Sequence, residues 1–120
     1  MIRRFEEQRA FSRNPGVDIR VLVEPNEMFN AGRLYARITL APGAKVTPHR
    51  HELETESFYV AKGTVEMQDN DTTVTLKEGD IIITPDGEVH GITNNTNEPV
   101  ELIALIISRD PGIDGKSVPL

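Results

Sequence analysis

The chain has no cysteine, no tryptophan and only three histidines among its 120 residues. Without thiols there is no disulfide, no thiolate zinc site and no cysteine nucleophile, a composition that fits a reducing compartment. No apolar run is long enough to span a bilayer. The opening, MIRRFEEQRAF, has charges where a secretory leader needs an unbroken apolar stretch. A soluble, cytoplasmic protein with no membrane partner is expected. Positive charge is also scarce: 13 Lys and Arg stand against 19 Asp and Glu, for a net charge of −6. That balance argues against nucleic acid as partner, because a phosphate backbone needs a basic face. The triplets beginning at Asn70 and Asn94 fit a glycan acceptor, but without a secretory signal they read as polar turns.

Helical periodicity is missing too, outside the first ten residues. Short alternating runs bounded by turn signals recur instead, the pattern of an all-β sandwich or barrel. Val17, Ile19, Val21 and Val23 alternate with polar residues after Asn14-Pro15-Gly16. Leu34, Ala36, Ile38 and Leu40 do so before Pro42-Gly43. Val65 and Met67 are followed by a hairpin turn at Asp69-Asn70-Asp71, then by Val74 and Leu76. Ile81 to Ile83 is short and fully apolar, and Val100 to Ser108 is almost continuously so. This length supports one domain with a real core. We divide it into an N-terminal arm and edge strand (1–32), a barrel (33–108) and a C-terminal tail (109–120). Within the tail, residues 110–115 are expected to be poorly ordered or packed on a partner.

What is present is concentrated chemistry. His49 and His51 are two residues apart, so an extended strand sends both imidazoles to one face. Glu56 opens the next apolar run, and His90 follows the Pro85-Asp86-Gly87 turn. Nitrogen and oxygen donors of this kind suit a divalent transition metal. Glu52 and Glu54 read as a solvated acidic connection, with Glu54 the alternative ligand should Glu56 not coordinate. Asn94 reads as a turn residue.

Two stretches carry a resemblance. Gly43, His49, His51, Glu56 and Gly63 form the first. Gly79, Pro85, Asp86, Gly87, His90 and Asn94 form the second. Both are similar to the paired motifs of the cupin family at every fixed spacing. With Gly at about 7% and Pro at about 5% of average composition, chance does not account for so many matches. The resemblance covers residues 43 to 94 and implies the double-stranded β-helix, or jelly-roll, barrel of cupins. It further implies that His49, His51, Glu56 and His90 ligate one divalent metal per subunit: iron, manganese, nickel or zinc.

Strand parity places Phe58 and Val60 on the same face as Glu56, and Ile92 on that of His90. With Leu34, Ala36, Ile38, Leu102, Ala104 and Ile106 they make the inward set. The expected substrate pocket, Ala36, Ile38, Phe58, Ile92, Leu102, Ala104 and Ile106, is apolar apart from its metal. No histidine remains beyond the ligands, and Tyr35 and Tyr59 fall on the outward face. This disfavours the metal-free sugar epimerases of the fold, which use a histidine base. Three functions stay open. The first is a metal-dependent dioxygenase-type oxidoreductase acting on a small chelating molecule, with Glu56 as candidate acceptor of the substrate proton. The second is an isomerase or lyase on a sugar-derived carbonyl compound, which gains ground if Tyr35 or Arg37 faces the metal. The third is a non-catalytic metal- or ligand-binding module. A homodimer is expected, with the strand from Val17 to Val23 free to pair across subunits.

Overall fold

A computed structural model describes residues 1–110 and 115–120. The alternating runs become strands: β1 (Ala10–Asn14), β2 (Val17–Val21), β3 (Leu34–Leu40), β4 (Lys45–Glu52), β5 (Glu54–Lys62) and β6 (Thr64–Asp69). The remainder are β7 (Thr72–Lys77), β8 (Ile81–Thr84), β9 (Val89–Thr93), β10 (Val100–Ser108) and β11 (Lys116–Pro119). Among the described residues, helix is confined to short 3-10 turns at Phe5–Glu7 and Pro25–Met28. The strands form a six-stranded sheet, ordered β1-β2-β3-β10-β5-β8, and a five-stranded sheet, ordered β11-β4-β9-β6-β7. The chain is thus an all-β double-stranded β-helix.

Alternation decides which side chains enter the core. In β3, Ala36, Ile38 and Leu40 are buried. In β10 the buried set is Val100, Leu102, Ala104 and Ile106. Phe58 and Val60 of β5 face them, with Val65, Met67 and Ile92 from the opposite sheet. The continuous apolarity of β10 reflects its central place between β3 and β5, which leaves Ile103, Leu105 and Ile107 on the outer face.

Both terminal segments contribute strands to the sheets. The arm is a folded hairpin. Ala10–Asn14 pairs with β2 through a turn at Gly16, whose φ of +76° suits glycine. Nor is β2 free to pair across subunits, since β1 and β3 flank it. Its Val17, Ile19 and Val21 are 1, 4 and 2% exposed, which makes β2 a wall of the barrel. The tail also contributes a strand: Lys116–Pro119 pairs antiparallel with β4. Pro119 is tolerated there because β11 lies at a sheet edge. The disorder expected for residues 110–115 concerns mostly 111–114, which lie outside the described residues.

Candidate metal centre

Three strands from the two sheets converge on one point inside the barrel. β4 carries His49 and His51, β5 carries Glu56 and β9 carries His90. His49 and His90 are directly opposed in the β4–β9 ladder, while Glu56 is paired with Ile106 on one side and Thr84 on the other. An irregularity between Val46 and His49 re-aims the end of β4. It accommodates Pro48, which packs so closely on Gly91 that a Cβ there would lie 3.2 Å from the proline ring. The Pro85-Asp86-Gly87 turn is tied to the other end of the same strand. Gly87 N–H donates to the His51 carbonyl at 2.8 Å, and Asp86 Oδ1 accepts from Leu53 N–H at 2.7 Å. Gly87 has φ +85° and Leu53 φ +67°, so Asp86 secures a connection that a branched side chain disfavours.

One potential ligand atom from each of the four residues lies within 4.8 Å of all the others, so the set could hold a metal ion. His49 Nε2 is 3.2 Å from His51 Nε2 and 3.1 Å from His90 Nε2. Glu56 Oε1 is 2.9 Å from His51 Nε2 and 3.2 Å from His90 Nε2. Adjacent donors about 2.1 Å from a common ion and at right angles to one another would be about 3.0 Å apart. The opposite ring nitrogens are anchored outward. Nδ1 contacts the Thr47 carbonyl at 2.8 Å in His49, Glu54 Oε1 at 2.7 Å in His51 and Thr84 Oγ1 at 2.9 Å in His90. A carbonyl only accepts, so His49 Nδ1 carries the proton and its Nε2 lone pair faces the cluster. Facing lone pairs repel unless a cation or proton lies between them. The donor chemistry therefore fits a divalent transition metal.

The protonation balance points the same way. Burial alone would raise the Glu56 carboxyl. The adjacent His51 and His90 imidazoles outweigh burial and hold it at about 2. Such a group suits a permanent donor better than a base that must take up a proton near neutrality. His51 is lowered by burial, but the Glu56 and Glu54 carboxylates more than compensate and leave it above its ordinary value. His49 is pushed down, chiefly by burial.

A cavity of about 240 Å³ opens beside the cluster. Of the expected pocket, Ile38, Phe58, Ile92 and Ile106 line it. Ala36, Leu102 and Ala104 point inward but are fully buried in the core and are not among the lining residues. The expectation of purely apolar walls is corrected, because Arg13, Asn14, Arg33, Thr47 and Ser117 also face the cavity. Arg13 and Asn14 arrive with the N-terminal hairpin and Ser117 with β11, neither of which the motif spacing reveals. Glu54 is the larger correction. It is not solvated but 0% exposed, with both oxygens bound by Arg33 and one by His51. Its parity with Glu56 on β5 was the available signal, masked by the acidic residues around it. Asn94 is buried and not among the clustered donors. Its side chain bonds the Leu40 and Glu98 carbonyls and Thr96, closing the β9–β10 turn.

A jelly-roll barrel with a histidine- and carboxylate-lined interior defines a class, and the comparisons specify it. The chain belongs to the cupin family, its residues 36–106 matching the cupin domain. It is 40% identical over 91 residues to an oxalate-binding protein of Thermotoga maritima, covering 76% of this chain and 75% of that one. The crystal structure of a predicted oxalate decarboxylase from Thermotoga maritima superposes with a TM-score of 0.81 at 36% identity. That match covers 90% of this chain and 99% of the other. A germin-like protein of Oryza sativa is 33% identical over 89 residues, which are 68% of this chain but 39% of the plant protein.

Proposed function

We propose that this cupin takes a small chelating dicarboxylate of the oxalate class on a divalent transition metal held by His49, His51, Glu56 and His90. We further propose that its chemistry is oxygen-dependent oxidoreduction of the oxidase rather than the dioxygenase type: cleavage of the C–C bond of the acid to carbon dioxide releases two electrons and two protons, which reduce dioxygen to hydrogen peroxide. The substrate class rests on Arg33. Its Nε and Nη2 are engaged by Glu54 and Ser117, whereas Nη1 has no partner among the described residues. Arg33 lines the cavity. Nη2 lies 3.5 Å from Nδ1 of His51, whose Nε2 is turned to the cluster. One imidazole width thus separates the arginine from the donor set. An acid chelating a metal there could extend a carboxylate oxygen to Nη1, a charge-assisted contact that favours carboxylates. The oxalate-related names of the Thermotoga proteins support the same class.

When bound, the metal supplies Lewis-acid and one-electron chemistry between the acid and dioxygen. The protein residues orient and insulate. Arg33 holds the acid. Ile38, Phe58, Ile92 and Ile106 exclude water and so strengthen charge interactions in the cavity. The sugar isomerase reading is less well served. Tyr35 and Arg37 alternate with buried Ala36 and Ile38, so they lie on the outer face, away from the cavity.

The test is to load the apoprotein separately with iron(II), manganese(II) and zinc, then measure oxygen uptake and binding of oxalate, acetate, a diketone and a sugar acid. Oxalate should bind at least about tenfold more tightly than acetate, because one acetate cannot reach both metal and Arg33. Oxygen uptake should accompany oxalate on iron or manganese. Binding without uptake indicates a ligand-binding module. Turnover of a sugar-derived substrate on zinc without oxygen makes the proposal wrong.

A further inference from the structure

His51 lies between two carboxylates. Its Nδ1 is 2.7 Å from Glu54 Oε1, and its Nε2 is 2.9 Å from Glu56 Oε1. We propose that Glu54, clamped by Arg33, is a positioning residue that fixes His51 in the form with the proton on Nδ1 and so keeps Nε2 free for the metal. This rests on the metal reading given above.

In a neutral imidazole either nitrogen can carry the single proton, and the stronger acceptor decides which. If Nε2 carried it, the N–H would point at Glu56 Oε1 and form a hydrogen bond there. That bond would occupy two metal donors at once, the imidazole and the carboxylate. Glu54 opposes this outcome, because it offers Nδ1 a charged acceptor. Among the described residues, His49 and His90 have only uncharged oxygens at Nδ1, from Thr47 and Thr84. His51 is thus the one ligand of the set that is both contested by Glu56 and steadied by a charge.

Arg33 holds Glu54 in place for this role. Its Nε lies 3.1 and 2.9 Å from the two Glu54 oxygens, and its Nη2 lies 2.6 Å from Oε1. The fork compensates the charge of a side chain that is 0% exposed and prevents it from swinging inward to ligate. Ser117 receives the other Nη2 contact at 2.8 Å, so β11 braces the clamp from outside. A carboxylate behind a ligating imidazole also raises the basicity of its donor nitrogen, and losing such a partner weakens metal affinity by about 10–100-fold.

Cobalt(II) titration against a competing chelator, with the visible spectrum recorded at saturation, tests this. Glu54→Gln should lower cobalt affinity by about 10–100-fold and shift the saturated spectrum. Because Glu54→Gln leaves Arg33 without its counter-charge, Arg33→Met/Glu54→Gln provides a neutral control and should show the same loss and shift. A wild-type spectrum at saturation in both variants overturns the inference, whatever the affinity. Failure of the wild-type protein to take up cobalt, or an unchanged affinity in His51→Ala, would refute the metal reading itself.

Discussion

His49 Nε2 and His51 Nε2 face each other at 3.2 Å, although their residues are separated by one position on the same strand. Extended backbone puts both rings on one face, and the Thr47 carbonyl and Glu54 carboxylate rotate each ring so that its Nε2 turns inward.

If those nitrogens share a cation, the purified protein should hold one divalent metal per chain. Replacing His49, His51 or His90 with alanine removes one of four donors and should deplete the metal. Elemental analysis of wild type and the three variants checks this. Full occupancy in His51→Ala contradicts the assignment.

Metal-free stability should have an acidic optimum. His51 is raised above 6.5 in the folded protein, so its contribution is complete below 6.5 and disappears as pH rises through the folded value. Glu56 works in the other direction: held at about 2 rather than 4.5, it contributes above 4.5 and loses that contribution as pH falls towards 2. His49, lowered by burial, subtracts some stability as it is forced to charge in acid. In a chelator, melting temperature should therefore be highest between about 4.5 and 6.5. Saturating zinc should move the optimum above 6.5, since metal-bound imidazoles must be deprotonated. A metal-free melting temperature that climbs steadily from weakly acidic to weakly basic pH would contradict the linkage.

The N-terminal hairpin should matter for folding. Ile19 is 4% exposed and packs in the core. Ile19→Ala should cost about 2–4 kcal/mol, measured by urea unfolding of the metal-loaded protein. An unchanged midpoint would mean that the hairpin is dispensable.

Homodimerisation is proposed through a different surface from the strand first considered. Tyr59, Ile81, Ile83 and Ile107 are 44, 54, 60 and 44% exposed, and the β8–β5–β10 pairing lays them on one outer face. Ile103 and Leu105 continue the apolar area. Arg37 and Glu101 flank it with both signs of charge, an arrangement that a second copy of the same surface can complement. Light scattering should give twice the chain mass for wild type and a monomer for Ile81→Glu/Ile83→Glu. A wild-type monomer at micromolar concentration would refute it.

Much of the barrel was legible because period-two alternation is a local property. Val17, Ile19 and Val21, or Ala36, Ile38 and Leu40, declare their face without reference to any partner. The four-residue cluster was legible through the resemblance to the cupin motifs, on which all three histidines fall, although Glu54 stayed open as an alternative to Glu56. Arg33 and Glu54 were not. Both look like ordinary surface charges, and what buries Glu54 is a contact across 21 residues with Arg33. β11 was hidden for a similar reason, since Lys-Ser-Val-Pro has little strand character until β4 supplies an edge to pair with.

The pairing of Pro119 with His49 has a practical side. Pro119 lines the cavity, and Leu120 is 69% exposed. A segment fused after Leu120 would be separated by only that residue from Pro119, which lines the cavity. A polyhistidine tag there would bring spare imidazoles within range of the very ion under assay, and could bind it competitively or thread back into the opening. Metal content, cobalt spectra and oxalate affinity should therefore be measured on protein whose tag has been cleaved.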